Sequence, residues 1–155
     1  MTLYLVRHGD AGDRDEWAGP DHLRPLDEIG WKQAEQLPDL LADKGMQRVI
    51  SSPYTRCVQT VEPLAEQLGL RVEESDALAE GAGADDTVAL VRSLAGITTV
   101  LCTHGDNIPR LLERLEQLDG LPLPDDYPYD KGSTWVLEAD GSGRFVRAEH
   151  VPPPA

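Results

Sequence analysis

The stretch Leu3-Tyr4-Leu5-Val6-Arg7-His8-Gly9 decides how this chain is read. Its apolar run is too short for a helix, and Tyr4 and Val6 favour a buried strand. The strand runs straight into an arginine, a histidine and a glycine, residue types that carry or accommodate chemistry. Two later stretches repeat the arrangement. Arg48-Val49-Ile50-Ser51 reads as a strand and leads through Ser52-Pro53 to Arg56. Thr98-Thr99-Val100-Leu101-Cys102 reads as another and leads to His104-Gly105.

Helical spacing fills the intervals. Ile29, Ala34, Leu37 and Leu41 predict a helix over 28–44, with Pro38 as a kink and Gly45 as its C-cap. Ser52 as N-cap and Pro53 at the first helical position predict the start of a second helix. Its apolar stripe is Cys57, Val61, Leu64, Ala65 and Leu68, with Pro63 as a second kink and Gly69 closing it. Leu70 to Glu74 reads as a short strand. Val88, Val91 and Leu94 suit a helix over 84–95, and Ile108, Leu111, Leu112 and Leu115 mark a last one. Thr134–Glu138 and Arg144–Glu149 read as a closing hairpin around Asp140-Gly141-Ser142-Gly143. The segments 10–27 and 119–132 are polar loops, and each is a candidate for lining a substrate entrance, as is Trp17. Alternating strands and helices predict an α/β three-layer sandwich. Its central sheet is mostly parallel, helices cover both faces, and an antiparallel pair lies at the end. A single domain is expected over 1–150, with 151–155 as a flexible Pro-rich tail.

Composition narrows the function. The chain has 155 residues, 28 acids against 14 Lys and Arg, and a formal net charge of −14. That balance argues against a nucleic-acid partner, which needs a basic surface. It leaves room for an anionic substrate, since a few arginines can make a locally positive pocket. No stretch approaches the length of a membrane span. The N-terminus lacks a basic region followed by a long apolar one, so the expected location is cytoplasmic. Cys57 and Cys102 sit in apolar stretches and read as reduced core thiols.

Ligands of an open α/β sheet bind in the crevice beyond the C-terminal strand ends. Arg7, His8, Arg56 and His104 are placed to meet there, with Gly9 and Gly105 allowing close backbone approach. Two arginines and two histidines suit a small dense anion, and a phosphoryl group is the expected one. Zinc held by His8, His104 and acids is the chemical rival. The sequence offers no paired cysteines, no His-Glu-x-x-His and no Asp-rich ligand loop, and two arginines would repel a cation. No metal and no cofactor are expected. His22 and His150, in a loop and near the tail, are weak candidates for any role.

Leu5-Val6-Arg7-His8-Gly9, Ser51-Ser52-Pro53-Tyr54-Thr55-Arg56-Cys57-Val58-Gln59-Thr60 and Thr103-His104-Gly105 together resemble the signature of the histidine phosphatase (phosphoglycerate mutase-like) superfamily. The likeness runs from about residue 2 to about residue 149. Arg24-Pro25-Leu26, Gly30 and Gln33-Ala34 resemble its small members. These include the SixA-type phosphohistidine phosphatases and the phosphatase domain that follows a Nudix domain in some actinobacterial hydrolases. The resemblance implies a phosphoglycerate mutase-like fold. It implies His8 as a nucleophile that carries a transient phosphoryl group, with Arg7, Arg56 and His104 holding the phosphoryl oxygens and Gly105 beside them. A neutral imidazole must attack, and nearby arginine charge favours that form. Glu80 stands where relatives place the proton donor, which then serves as base for water; Asp10 is the alternative. Thr55 is a lesser candidate for a pocket hydroxyl.

These readings predict a metal-independent phosphohydrolase acting on a phosphorylated small molecule or a phosphoprotein. A phosphomutase of the same fold is ranked below it, because the sequence shows no second basic cluster and the four aspartates of 119–132 would repel a second phosphate. A phosphate-binding module without turnover is the reading from another class. Neither the substrate nor the oligomeric state follows from the residues.

Overall fold

The computed structural model describes residues 1–154; Ala155, the last residue of the expected tail, lies outside the described residues. Six strands form one sheet: β1 (Thr2–Arg7), β2 (Arg48–Ser51), β3 (Val72–Glu74), β4 (Thr99–Thr103), β5 (Thr134–Ala139) and β6 (Phe145–Val151). Their order is β3-β2-β4-β1-β5-β6. The first four are mutually parallel, and β5 and β6 add antiparallel at the β1 edge. The four helices are α1 (Glu28–Leu41), α2 (Thr55–Leu68), α3 (Ala84–Ser93) and α4 (Asn107–Asp119).

Strand alternation explains the layers. Leu3 and Leu5 of β1, with Leu101 of β4, face Val91 of α3 and Ile108, Leu111 and Leu115 of α4. Tyr4 and Val6, with Val100 and Cys102, face Leu37 and Leu41 of α1 and Cys57, Val61 and Leu64 of α2. Both faces of the central strands are therefore buried, which is why they read as nearly unbroken apolar runs. The expected three-layer α/β sandwich is present.

Several local expectations shift. Pro38 and Pro63 lie inside helices that run on without a break. Each proline forfeits one backbone bond, and the buried stripes of α1 and α2 outweigh that loss. The first helix closes at Ala42 rather than Gly45, which instead turns the chain into β2 at φ +73°. Ser52 is not the N-cap of α2. The helix starts at Thr55 behind an extended Tyr54, because the Ser52 hydroxyl is engaged by the Tyr54 amide and by His104. Val151, expected in the tail, is the last residue of β6. No helix among the described residues is long and apolar enough to cross a membrane.

Candidate active site

Register brings the three motifs together. Arg7 lies opposite Thr103, and Cys102 lies opposite Ser51, so β1, β4 and β2 end side by side. The residues that follow line one cavity of about 590 Å³, which includes Arg7, His8, Arg56, Glu80, His104 and Gly105. That volume lies within the roughly 300–1,000 Å³ of small-molecule sites.

His8 continues β1 for one residue, its amide donating to Thr103 O at 3.1 Å. Its Nδ1 lies 2.7 Å from Gly9 O. A carbonyl can only accept, so Nδ1 carries the proton and Nε2 keeps its lone pair. Burial is the main cause that pushes the His8 pKa down to about 3, and the charges of His104, Arg56 and Arg7 add to it. The imidazole is therefore neutral at physiological pH. Thr60 of α2 holds the turn behind it, accepting from Gly9 N at 3.0 Å and donating to Arg56 O at 2.7 Å.

Arg56 is 1% exposed. Its Nη1 donates to Asp21 O at 2.8 Å and its Nη2 to Asp21 Oδ2 at 3.0 Å, while the guanidinium lies 5.0 Å from the Tyr54 ring centre. Its Nε is buried without a partner. Arg7 donates from Nη1 to Tyr129 O at 3.1 Å and also leaves Nε unpartnered. Burial is what lowers its pKa, against the pull of Asp130, Asp10 and Asp106. A Cβ on Gly105 would stand 2.7 Å from the Arg7 Cζ and Nη2, so only glycine lets this guanidinium lie against the backbone. His104 stands 5.4 Å from the His8 ring, centre to centre. Its Nε2 is 2.8 Å from Ser52 Oγ, which also accepts from Tyr54 N at 3.2 Å. Ser52 can then give its own proton to Nε2, which leaves His104 Nδ1 as a donor. That Nδ1 is likewise buried and unpartnered. Three orphaned donors thus accompany the free lone pair of His8, an arrangement suited to the oxygens around an electrophilic phosphorus.

Glu80 follows a 3₁₀ turn after β3 and is tied from two sides. Asn107 Nδ2 donates to Ala79 O at 3.1 Å, and Gly81 N donates to Asp106 Oδ2 at 2.9 Å. Its Oε1 accepts from Arg14 Nη2 at 2.7 Å, and its Oε2 lies 3.6 Å from Arg56. Asp10 does not line the cavity; its amide bonds to Gln33 and its carboxylate faces Lys131 at 3.9 Å. Thr55 and Trp17 are also absent from the wall, and the Trp17 indole donates to Pro20 O at 2.9 Å. His22 is edge-on to Tyr54, and His150 packs on Trp135.

Sequence reading missed several residues. Both polar loops reach the cavity, through Gly12, Asp13, Arg14 and Arg24 on one side and Tyr129 and Lys131 on the other. Arg14 and Lys131 therefore make the second group of basic residues that the linear sequence does not show, since they are far apart along the chain. Asp21 is the hub, meeting Arg56 at 3.0 Å, Arg24 at 3.1 Å and Arg14 at 3.4 Å. Burial alone would raise its pKa, but the Arg24 and Arg56 partners hold it below the usual carboxylate range. In the sequence the two loops are candidates for lining an entrance and Arg24-Pro25-Leu26 resembles the small members, but nothing there singles out Arg14, Asp21 or Lys131. Among the described residues, no group of three or more His, Cys, Asp or Glu is arranged to hold a metal. Cys57 and Cys102 are buried and unpaired in a disulfide, with Cys57 Sγ 3.5 Å from His104 Nε2.

The sequence pattern of the histidine phosphatase superfamily (branch 1) matches residues 3–88. The chain belongs to this family. A member from Mycolicibacterium smegmatis, an 8-oxo-(d)GTP phosphatase, is 37% identical over 158 residues, covering 99% of this chain and 48% of its own length. The chain thus spans about half of that relative. The structure of the protein histidine phosphatase SixA complexed with tungstate superposes with a TM-score of 0.78 at 22% identity, over 97% of this chain and 94% of that one. A protein from Nakamurella multipartita assigned as a phosphohistidine phosphatase SixA gives 0.78 at 25% identity, over 99% and 96%. This histidine phosphatase is a small, SixA-like member with the phosphoglycerate mutase-like fold.

Proposed function

We propose that this histidine phosphatase hydrolyses a phosphomonoester or a phosphohistidine through a phosphoryl group carried on His8, without a metal. One observation carries the reading: His8, whose Nε2 keeps its lone pair, lines a single cavity with Arg7, Arg56 and His104, each of which has a buried donor without a partner. In the first step Nε2 attacks phosphorus, the N–P bond forms, and the P–O or P–N bond breaks with its electron pair on the leaving group, which takes a proton from Glu80 or from solvent. The fixed donors stabilise the equatorial oxygens as charge spreads over them. In the second step water attacks phosphorus and the N–P electron pair returns to His8. Glu80 takes the water's proton in this scheme. Glu80 lines the cavity and Asp10 does not, which favours Glu80 for that role.

The substrate class has two supports. The relative named an 8-oxo-(d)GTP phosphatase favours a nucleotide among small molecules. The SixA neighbours favour a protein phosphohistidine. The test is phosphate release from p-nitrophenyl phosphate, nucleotides and a phosphohistidine peptide in EDTA, with capture of an acid-labile phosphoenzyme. Wild type turns over at least one of these and His8→Ala none; full activity in His8→Ala would overturn the reading.

A phosphomutase is the second reading, and the Arg14 and Lys131 side chains at the cavity are what favour it. Isotope exchange between phosphate positions, faster than phosphate release, would establish it. Phosphopeptide binding without any phosphate release would instead mark a binding module.

A further inference from the structure

Five of the chain's 14 Lys and Arg line one cavity in a protein of net charge −14, and not all of them are committed to a phosphoryl group. Arg7 and Arg56 frame His8. Arg24 is closed off, its Nη1 donating to Ala11 O at 2.7 Å and Gly12 O at 3.2 Å and its Nε to Asp21 at 3.1 Å. Arg14 differs from all three. It sits on an exposed 3₁₀ turn of the 10–27 loop, its side chain is 58% exposed, and its partners are the carboxylates of Glu80 and Asp21.

Glu80 shows what this arrangement receives. Its carboxylate lies between Arg14, at 2.7 Å, and Arg56, at 3.6 Å. One anion therefore already fits between the guanidinium that frames His8 and the one outside it. The other carboxylates in the wall have their own partners: Asp13 accepts from Asp15 N, and Asp106 accepts from Gly81 N and faces Arg110. Asp21 also meets Arg14, Arg24 and Arg56 but does not line the cavity; of the carboxylates in the wall only Glu80 is shared between two of its arginines, so it is the group an incoming anion would displace.

The leaving group follows from the same contacts. An alkoxide must be protonated as it departs. Glu80 Oε1 accepts from Arg14 at 2.7 Å and Oε2 lies 3.6 Å from Arg56, so both oxygens face cations. A phosphate leaving group departs as a stable anion and needs a cation rather than a proton. We propose that Arg14 is the specificity-determining residue of this site, selecting a phosphoric anhydride whose leaving group is itself a phosphate, as at the terminal phosphate of a nucleoside diphosphate.

The inference rests on His8 as nucleophile. His8 Nε2 forms the N–P bond to the terminal phosphorus, and the anhydride P–O bond breaks with its electron pair on the leaving phosphate. Arg14 turns from Glu80 to that anion, with Lys131 on the same cavity wall, and Glu80 is freed to take a proton from the attacking water. The net reaction consumes one water and yields a nucleoside monophosphate, inorganic phosphate and a proton.

The experiment compares kcat/KM for GDP, GMP and p-nitrophenyl phosphate in wild type, Arg14→Gln and Arg14→Lys, with circular dichroism to check folding. Wild type is expected to prefer GDP to GMP by at least 100-fold. In Arg14→Gln the ratio of GDP to p-nitrophenyl phosphate should fall at least 30-fold, and Arg14→Lys should restore most of it. Loss of activity in equal proportion on both substrates, or equal use of GMP and GDP by wild type, would overturn the proposal. His8→Ala separates the two claims: if it retains activity the nucleophile is wrong, whereas if it is inactive and the ratio is unmoved by Arg14→Gln, only the leaving-group assignment fails.

Discussion

Arg56 and Arg92 are both helix arginines gripped by an aspartate, at different places in the sheet sandwich. Arg92 of α3 donates to both oxygens of Asp119, at 2.9 and 2.6 Å, and to Gly143 O at 3.3 Å. Asp119 in turn accepts from Phe145 N at 2.9 Å, so the pair ties the end of α4 to β6. Arg56 is more deeply buried and less satisfied, since its Nε has no partner. A buried donor left open costs about 1–3 kcal/mol, and the fold tolerates that at the cavity and not at the Arg92 pair. Arg92 also makes no hydrogen bond from Nε, but its side chain is 36% exposed. What separates the binding arginine from the structural one is a donor that is both buried and unmet.

That contrast can be broken in several ways. His8→Ala is expected to lower kcat by at least about 10³-fold while leaving the circular dichroism spectrum intact. Arg56→Ala should lower kcat/KM by about 10²–10³-fold, the usual cost of removing one transition-state donor. Arg56→Lys should recover little of it, because an ammonium cannot reach Asp21 and the substrate at once. Asp21→Asn leaves Arg56 in place with a weaker grip, and a loss of about tenfold in kcat/KM is expected; a double-mutant cycle with Arg56 should then show coupling. Arg92→Ala should cost about 1–2 kcal/mol in urea unfolding and change kcat/KM less than about threefold, since its partner Asp119 is nearly buried. A larger catalytic effect at Arg92 than at Asp21 would undo the comparison.

The smallest expected effect is on pH dependence. The His8 pKa falls from 6.5 to about 3 on folding. The unfolded chain therefore binds a proton that the folded one refuses. His8 contributes stability that is fully present above pH 6.5 and is lost as pH falls, by up to about 1.4 kcal/mol per pH unit. Chemical unfolding at pH 7 and pH 5 should show a steeper loss in wild type than in His8→Ala. The same shift means that any acid limb of activity between pH 5 and 7 belongs to a group other than the nucleophile.

The parallel strands and their helices were legible because both faces of β1, β2 and β4 are buried, which leaves short apolar runs in the sequence. The motifs at their ends were legible because a strand that stops on Arg7-His8 or leads to His104-Gly105 breaks the packing pattern. The helix ends were less so. Ser52 has the residue type of an N-cap, but its hydroxyl is used by His104, a contact that crosses from β2 to β4. Pro38 and Pro63 announced kinks, and the packing of α1 on α2 overrode them. The loops were opaque, since Arg14, Asp21 and Lys131 sit in polar stretches with no period to mark them.

Sequence alone determined the α/β class, the acidic surface and the set Arg7, His8, Arg56 and His104, because strand periodicity and residue chemistry are local properties. Tertiary structure alone decided which nitrogen of His8 is free, which donors stay open and which arginines meet Glu80 and Asp21. Those outcomes depend on distances between residues that the chain separates widely, and a hydrogen bond made or left unmade in three dimensions leaves no trace in one.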